Sequence, residues 1–372
     1  MTFLASLNRI SLLRNLAIAV GVLVVAAVIL ESTDTFRNAQ LASMSYYATA
    51  AVGLTLLTGL NGQISLGHGA LMAVGAYTSA LMLRMDTPYA FPIIALVAIL
   101  VTSVVGFVVG LAAARLRGPY LAGATLALAV ALPGIALYFK DTFGGEPGLP
   151  IPVPRSPVWF NDLILSLSGN FATGSKYVAY LGWVAFAVTL FFLLNMTRSR
   201  VGRHWRAVRD NDVAAELSGI NLGRTKVQVF VVSAACAGLA GAVMALVVRL
   251  AAPSAFTLVL SLGLLTAIVI GGLGSMTGAV IGSAVLVFLP QVATDFATDR
   301  GLDGTQAAQL APLVYGIVLV LVILLAPAGL MGSLTRLWHR LPRKPSTKPE
   351  RKPGPPAAQR PTENPIPPEE TA

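Results

Sequence analysis

Of the 372 residues, 55% are apolar and only 11% are charged, with a formal net charge of +10; the mean hydropathy is +0.75. A soluble domain carries about 25% charged residues, so an ordinary soluble protein is excluded. The positive charge does not point to nucleic acid, because Lys and Arg gather in a few loops and in the C-terminal tail, as they do in membrane proteins.

Apolar runs of about 20 residues recur along the chain, each long enough to cross the roughly 30 Å hydrocarbon core as a helix. The runs are continuous instead of alternating, which selects helices over a closed barrel. The expectation is an all-α polytopic transmembrane bundle of about ten spans (eight to ten), at 16–30, 41–59, 64–83, 91–114, 120–139, 177–196, 227–248, 257–272, 277–290 and 311–330. The first run follows Arg9 and Arg14 as a signal peptide's apolar region would. The residues after it, Glu31-Ser32-Thr33-Asp34, lack a small-x-small cleavage pattern, so it reads as a retained span.

The next segment, 59–79, places Asn61, Gln63, Ser65 and His68 at or within a span. Unpaired in hydrocarbon such groups are costly, so they should face the bundle interior, another subunit or a water-filled path. Gly59, Gly62, Gly67, Gly69 and Gly75 allow close helix approach or a local break. A solute path and internally bonded helix packing both fit, and His68 alone fits packing better than proton relay. Residues 140–176 form a Pro/Gly-rich excursion containing Gly144-Gly145-Glu146-Pro147-Gly148.

Residues 197–226 form a polar loop. Asp210, Asn211 and Asp212 are good helix starters, and Gly219 is a natural stop. Between them fits a helix of about two turns with Val213 and Leu217 on one face. It has the dimensions of an element that docks in a partner's groove; a solvated, positive-inside loop is the alternative. Cys236 lies in an apolar run, where it can form no intrachain disulfide and no metal site, and reads as a small packing residue.

The eighth and ninth runs are short and joined by a glycine-rich hairpin, so either could be broken or re-entrant. Gly274, Gly278 and Gly282 there follow the small-xxx-small spacing of close helix packing. No Lys-Ser or Lys-Thr follows these glycines, and the chain has no phosphate-binding loop. The transmembrane region is expected over 1–335, and the basic, Pro-rich tail 336–372 cannot bury a core and is expected to be disordered. Lys and Arg at 336–352 could meet anionic membrane lipid, though a topological anchor of positive charge suffices.

An even span count puts both termini on one side. One set of loops then holds Arg9, Arg14, Arg115, Arg117, Arg198, Arg200, Arg203, Arg206, Arg209, Arg224, Lys226 and the tail. The other holds Glu31, Asp34, Asp86, Asp141, Glu146, Asp162, Asp295, Asp299 and Asp303. The expected orientation is N-in and C-in.

Several motifs, in order, carry a family resemblance. They are Gly59-Leu60-Asn61-Gly62-Gln63-Ile64-Ser65-Leu66-Gly67-His68-Gly69-Ala70 with Gly75-Ala76-Tyr77; Leu116-Arg117-Gly118-Pro119-Tyr120-Leu121-Ala122-Gly123-Ala124-Thr125-Leu126-Ala127; Gly144-Gly145 with Gly148-Leu149; Ala214-Ala215-Glu216-Leu217-Ser218-Gly219-Ile220-Asn221; and Gly271-Gly272-Leu273-Gly274-Ser275-Met276-Thr277-Gly278. Over about residues 40–330 the chain resembles the M-type (LivM-like) permease subunits of ABC importers of the branched-chain amino acid and ribose type. The family usually has an aromatic near Leu71-Met72 and an acidic or polar residue where Val130-Ala131 stands.

The resemblance implies a bacterial inner-membrane, pore-forming subunit for branched-chain amino acids or related small polar solutes. It implies a heterodimer with a second permease, two ATPase subunits that hold ATP and Mg, and a periplasmic solute-binding protein, with no cofactor or metal on this chain. The implied coupling residues are Arg206, Arg209, Asp210, Asp212, Ala214, Ala215, Glu216, Gly219 and Asn221. Tyr77, Tyr120 and Thr125 join Asn61, Gln63, Ser65 and His68 as the candidate solute path, and Gly59, Gly62, Gly67, Gly69, Gly271, Gly272, Gly274 and Gly278 are the hinge or packing glycines. A self-contained channel or facilitator is the alternative. A membrane enzyme is disfavoured, because three histidines, one cysteine and no mid-span carboxylate provide no acid–base pair or metal cluster.

Overall fold

The computed structural model describes residues 2–333, except 86–88, 117–118, 153, 155, 169–173, 302 and 326–328. The expected tail 336–372 and Asp86 and Arg117 of the charge argument lie outside the described residues. The helices are α1 (Thr2–Ser32), α2 (Thr35–Leu54) continued by a π-helical turn (Thr55–Leu60), α3 (His68–Leu83), α4 (Phe91–Arg115), α5 (Pro119–Tyr138), α6 (Lys140–Phe143), α7 (Val158–Ser168), α8 (Gly174–Arg198), α9 (Arg200–Asp210), α10 (Asp212–Leu217), α11 (Leu222–Val248), α12 (Leu258–Gly271), α13 (Met276–Asp299) and α14 (Gly304–Leu325). A two-residue antiparallel ladder pairs β1 (Leu149–Pro150) with β2 (Leu250–Ala251).

Each of the ten expected spans overlaps a helix, but 64–67 of the third is unwound and 326–328 of the tenth lies outside the described residues. Seven of the described helices are long and apolar enough to cross a membrane, and α3 and α12 are shorter apolar helices. The ninth run differs from expectation: α13 is a continuous 24-residue helix that passes through Pro290, where the apolar run ends. Proline is tolerated inside membrane helices because neighbouring groups re-satisfy the freed carbonyl. The excursion 140–176 contains the 11-residue helix α7.

The core is built on α11, which packs against α4, α3, α2 and α8. Small residues permit this. A Cβ on Gly75 would stand 2.1 Å from the Gly238 carbonyl oxygen, and one on Gly241 would stand 1.9 Å from the Met72 carbonyl oxygen. Backbones in contact leave no room for a methyl group. Cys236 is buried in α11 against Gly53 of α2, a packing position as expected.

Helix α1 lies at the periphery against α8 and is fastened at both ends. Asn15 donates to Asn195 Oδ1 at 2.7 Å and its own Oδ1 accepts from Arg198. Near the far end, Lys176 Nζ is 2.5 Å from Glu31 Oε2, and the Tyr180 hydroxyl donates to Glu31 Oε1 at 2.9 Å. The two helices are therefore antiparallel. The same alternation runs through the bundle, so α1 starts at the end that carries α9 and α10. Gly329, just beyond α14, packs on Gly272 at that same end. Arg115, Arg198, Arg200, Arg203, Arg206, Arg209, Arg224 and Lys226 gather there, whereas Glu31, Asp34, Asp141 and Glu146 lie at the ladder end.

Candidate functional site

The site starts from a helix break. Helix α2 loosens into the π-helical turn, and the chain is unwound from Asn61 to Gly67 before α3 begins at His68. Two glycines are needed here. Gly62 has φ +75°, a conformation costly for residues with a Cβ. A Cβ on Gly59 would lie 2.4 Å from the Gly274 amide nitrogen, so the break and the α12–α13 hairpin touch backbone to backbone. Gly274 itself has φ +83° and sits in the turn. The close-packing stripe thus runs through Gly278 and Gly282, which press on Gly271 and Ala267, and leaves Gly274 for the contact with Gly59.

Unwinding frees backbone donors, and side chains recapture them. Thr125 Oγ1 of α5 accepts from the Leu66 amide at 3.0 Å. Ser261 Oγ of α12 accepts from the Gly69 amide at 3.0 Å. Gln63 N reaches the Leu57 carbonyl at 3.0 Å, and Thr58 Oγ1 donates to the Gln63 carbonyl at 3.1 Å. Ser65 Oγ meets the Gly67 amide at 3.4 Å. His68 is fully buried and donates Nε2 to the Ala50 carbonyl at 3.0 Å; a carbonyl only accepts, so the tautomer is fixed. That is the geometry of a bonded packing residue.

Asn61, Gln63, Ser65, His68 and Thr125 are thus brought together at the break, and all are buried. Asn61 Nδ2 donates to the Trp205 carbonyl of α9 at 3.3 Å, and Gln63 Nε2 donates to Asn61 Oδ1. Because the chain of bonds ends on a carbonyl, its polarity is set and Gln63 Oε1 is the free acceptor, without a partner among the described residues. Tyr77 and Tyr120 are not part of this group. Tyr77 is buried towards the ladder end, edge-on to Phe143 at 5.3 Å and near Phe256 at 6.1 Å, where it borders an apolar cavity of about 260 Å³. Tyr120 is 76% exposed on the outer face of α5.

The loop 197–226 folds as two helices where the sequence suggested one. Helix α9 buries Gly202, Trp205 and Val208, a stripe at three-residue spacing on an otherwise charged helix. Trp205 is fully buried; a tryptophan alone in an Arg-rich loop was the signal for this helix. Helix α10 forms as expected. Asn211 caps it by accepting from the Ala214 amide at 3.0 Å, and Gly219 ends it at φ +83°. Asp212 pairs with Lys226 at 3.1 Å. Ala215 faces in, while Val213 and Leu217 are 67% and 85% exposed.

The two candidate groups meet. A cavity of about 520 Å³ opens between the break at Asn61–Ile64, the ends of α4 and α5, Val208 and Arg209 of α9, Asp212 and Lys226. Arg209 Nη1 donates to the Gly59 carbonyl across one side of it. Among the described residues no group of three or more His, Cys, Asp or Glu could hold a metal ion.

A multi-pass helical bundle whose broken helix borders a cavity at one end has the architecture of a transport protein. Comparison with known proteins agrees: residues 38–323 match the family described as "Branched-chain amino acid transport system / permease component". The chain belongs to that family. It is 30% identical to the high-affinity branched-chain amino acid transport system permease protein LivM of Escherichia coli strain K12, over 84% of this chain and 74% of that protein. The LivM protein of Salmonella typhimurium is also 30% identical, over 77% of this chain and 67% of its own. The ribose import permease protein RbsC of Haemophilus influenzae is 29% identical over 69% of this chain and 76% of its own. No solved structure matches. The chain is a LivM-type permease subunit of an ABC importer and not an enzyme.

Proposed function

We propose that this chain forms half of the pore of an ATP-driven importer of branched-chain amino acids or related small polar solutes. A second, homologous permease completes the pore, two separate ATPase subunits supply the energy, and a solute-binding protein delivers the solute. The membrane is a bacterial plasma membrane, with both termini and the α9–α10 end in the cytoplasm. The clustering of Arg and Lys at that end supports this orientation.

One observation carries the reading. A short, capped helix presents two large apolar side chains, Val213 and Leu217, to solvent at the basic end of the bundle. Its neighbour α9 is bonded directly to the break. A partner that moves α10 therefore acts on the segment bearing Asn61, Gln63 and Ser65, which Thr125 of α5 contacts and which forms the candidate solute path. Such a break supplies the two-state element that alternating access needs.

The test is purification of the tagged chain from its own membranes in mild detergent. Near-stoichiometric co-purification of an ATPase and a second permease is expected. A chain that emerges alone, and passes solute in liposomes without an ATPase, is a facilitator. Deleting Ala214–Gly219 should separate ATP hydrolysis from uptake; uptake at the normal rate after the deletion refutes the coupling role.

A further inference from the structure

We propose that Arg209 is a positioning residue that ties the α9–α10 element to the unwound segment of the solute path. The inference rests on the function proposed above and assigns its transmission to one side chain. Arg209 lies in the last turn of α9, two residues before Asn211, the cap of α10. Displacement of α10 cannot leave it in place.

Its guanidinium donates to the carbonyl of Gly59, inside the π-helical turn. Carbonyls in the last turn of a helix lack an in-helix donor, so the bond satisfies a group the break would otherwise leave bare. The contact is tight on three sides. Gly59 is pressed on the Gly274 backbone, a Cβ on Gly274 would stand 3.4 Å from Arg209 Nη1, and a Cβ on Gly62 would stand 3.4 Å from Arg209 Cγ. Gly62 and Gly274 border the side chain in ordinary contact, and each holds a positive φ, +75° and +83°, that favours glycine.

A second tie lies one turn back on the same helix, where the Trp205 carbonyl accepts from Asn61. Helix α9 thus grips the break at Gly59, inside the π-helical turn, and at Asn61, just after it. The other arginines of α9 do not do this. Arg206 donates back to the Thr197 carbonyl at 2.6 Å, and Arg203 points to the Arg198 carbonyl at 3.5 Å. The cavity beside Arg209 gives the break room to move when the grip shifts. A charged hydrogen bond is the stronger kind, and the planar fork of arginine holds direction as well as charge.

The experiment uses the complete importer in proteoliposomes with its binding protein, reading solute uptake and ATP hydrolysis together. In Arg209→Met the solute moved per ATP hydrolysed should fall at least tenfold. Arg209→Lys, which keeps a donor for the Gly59 carbonyl, should recover most of it. Arg203→Met, which removes the same charge from the same helix, should keep the wild-type ratio. A ratio within twofold of wild type in assembled Arg209→Met overturns the tie, and so does an equal fall in Arg203→Met. If Arg209→Met does not assemble, Asn61→Ala should lower the ratio at least threefold, and an unchanged ratio there also overturns the tie. A wild-type complex that shows no ATP-driven uptake overturns the transport reading and the tie with it.

Discussion

Replacing Gly241 by alanine tests the packing that holds the permease together. The new Cβ would stand 1.9 Å from the Met72 carbonyl oxygen, 2.8 Å from its carbon and 3.0 Å from the Ala76 nitrogen. All three are backbone atoms, so no side-chain rotation relieves the overlap. Reaching an ordinary 3.4 Å contact from 1.9 Å requires α3 and α11 to part locally by about 1.5 Å. Overpacking of this kind costs about 1–3 kcal/mol, and separating two close-packed backbones belongs at the upper end. Alanine returns about 1 kcal/mol of helix propensity. The net loss is then about 2 kcal/mol, a fall of a few degrees in melting temperature. The control is Gly21→Ala on α1, where nothing lies within 4 Å; there only the propensity gain remains. Melting of both variants in detergent, followed by tryptophan fluorescence, decides the matter. Equal melting temperatures for the two variants would refute the argument that contact between α3 and α11 needs glycine.

Three further outcomes follow from the geometry. Leu217→Asp removes one exposed apolar anchor of α10, and a buried leucine side chain is worth roughly 1.5–3 kcal/mol; the ATPase recovered with the tagged chain should fall about tenfold or more. Glu31→Gln removes the carboxylate beside Lys176, whose side chain is only 9% exposed; about 3–5 kcal/mol of stability should be lost, and Lys176→Met added to it should restore most of the melting temperature. Gly62→Ala forces a Cβ onto a φ of +75° at about 1–2 kcal/mol; uptake should fall with assembly intact, measured on the co-purified complex, and unchanged uptake would show that the bend is not needed.

Much of this was legible from the chain, and the exceptions have physical reasons. Apolar runs marked every long helix, because lipid demands continuous hydrophobicity. The glycines and polar residues at 59–69 marked the break. The cap Asn211 and stop Gly219 bounded α10 within a residue or two. Helix α9 was not legible as a helix, because its apolar stripe is only Gly202, Trp205 and Val208 and six of its eleven residues are Arg, Asp or His. The full length of α13 was hidden by Pro290, whose effect depends on neighbours. Tyr120 looked like its motif companion Thr125, yet five residues on a helix place them on different faces, one exposed and one buried. The clamps of α1 on α8 join residues 145 to 183 positions apart, and no local pattern reports a contact at that range.

The hydrogen bonds of the break suit the switching role proposed for it. A continuous helix satisfies its own backbone and is indifferent to its neighbours. From Gly59 to Gly69 the chain instead depends on others: Thr125 of α5 and Ser261 of α12 accept from backbone amides, Arg209 of α9 donates to the Gly59 carbonyl, and the Trp205 carbonyl of α9 accepts from the Asn61 side chain. These acceptors and donors belong to three different helices, so relative movement of any one helix changes the balance at the break. In the low-dielectric interior an orphaned backbone group is costly, so intermediate positions are penalised and a few fully bonded arrangements are favoured. Small hydroxyls suit this, since serine and threonine can release one backbone group and take another with a side-chain rotation.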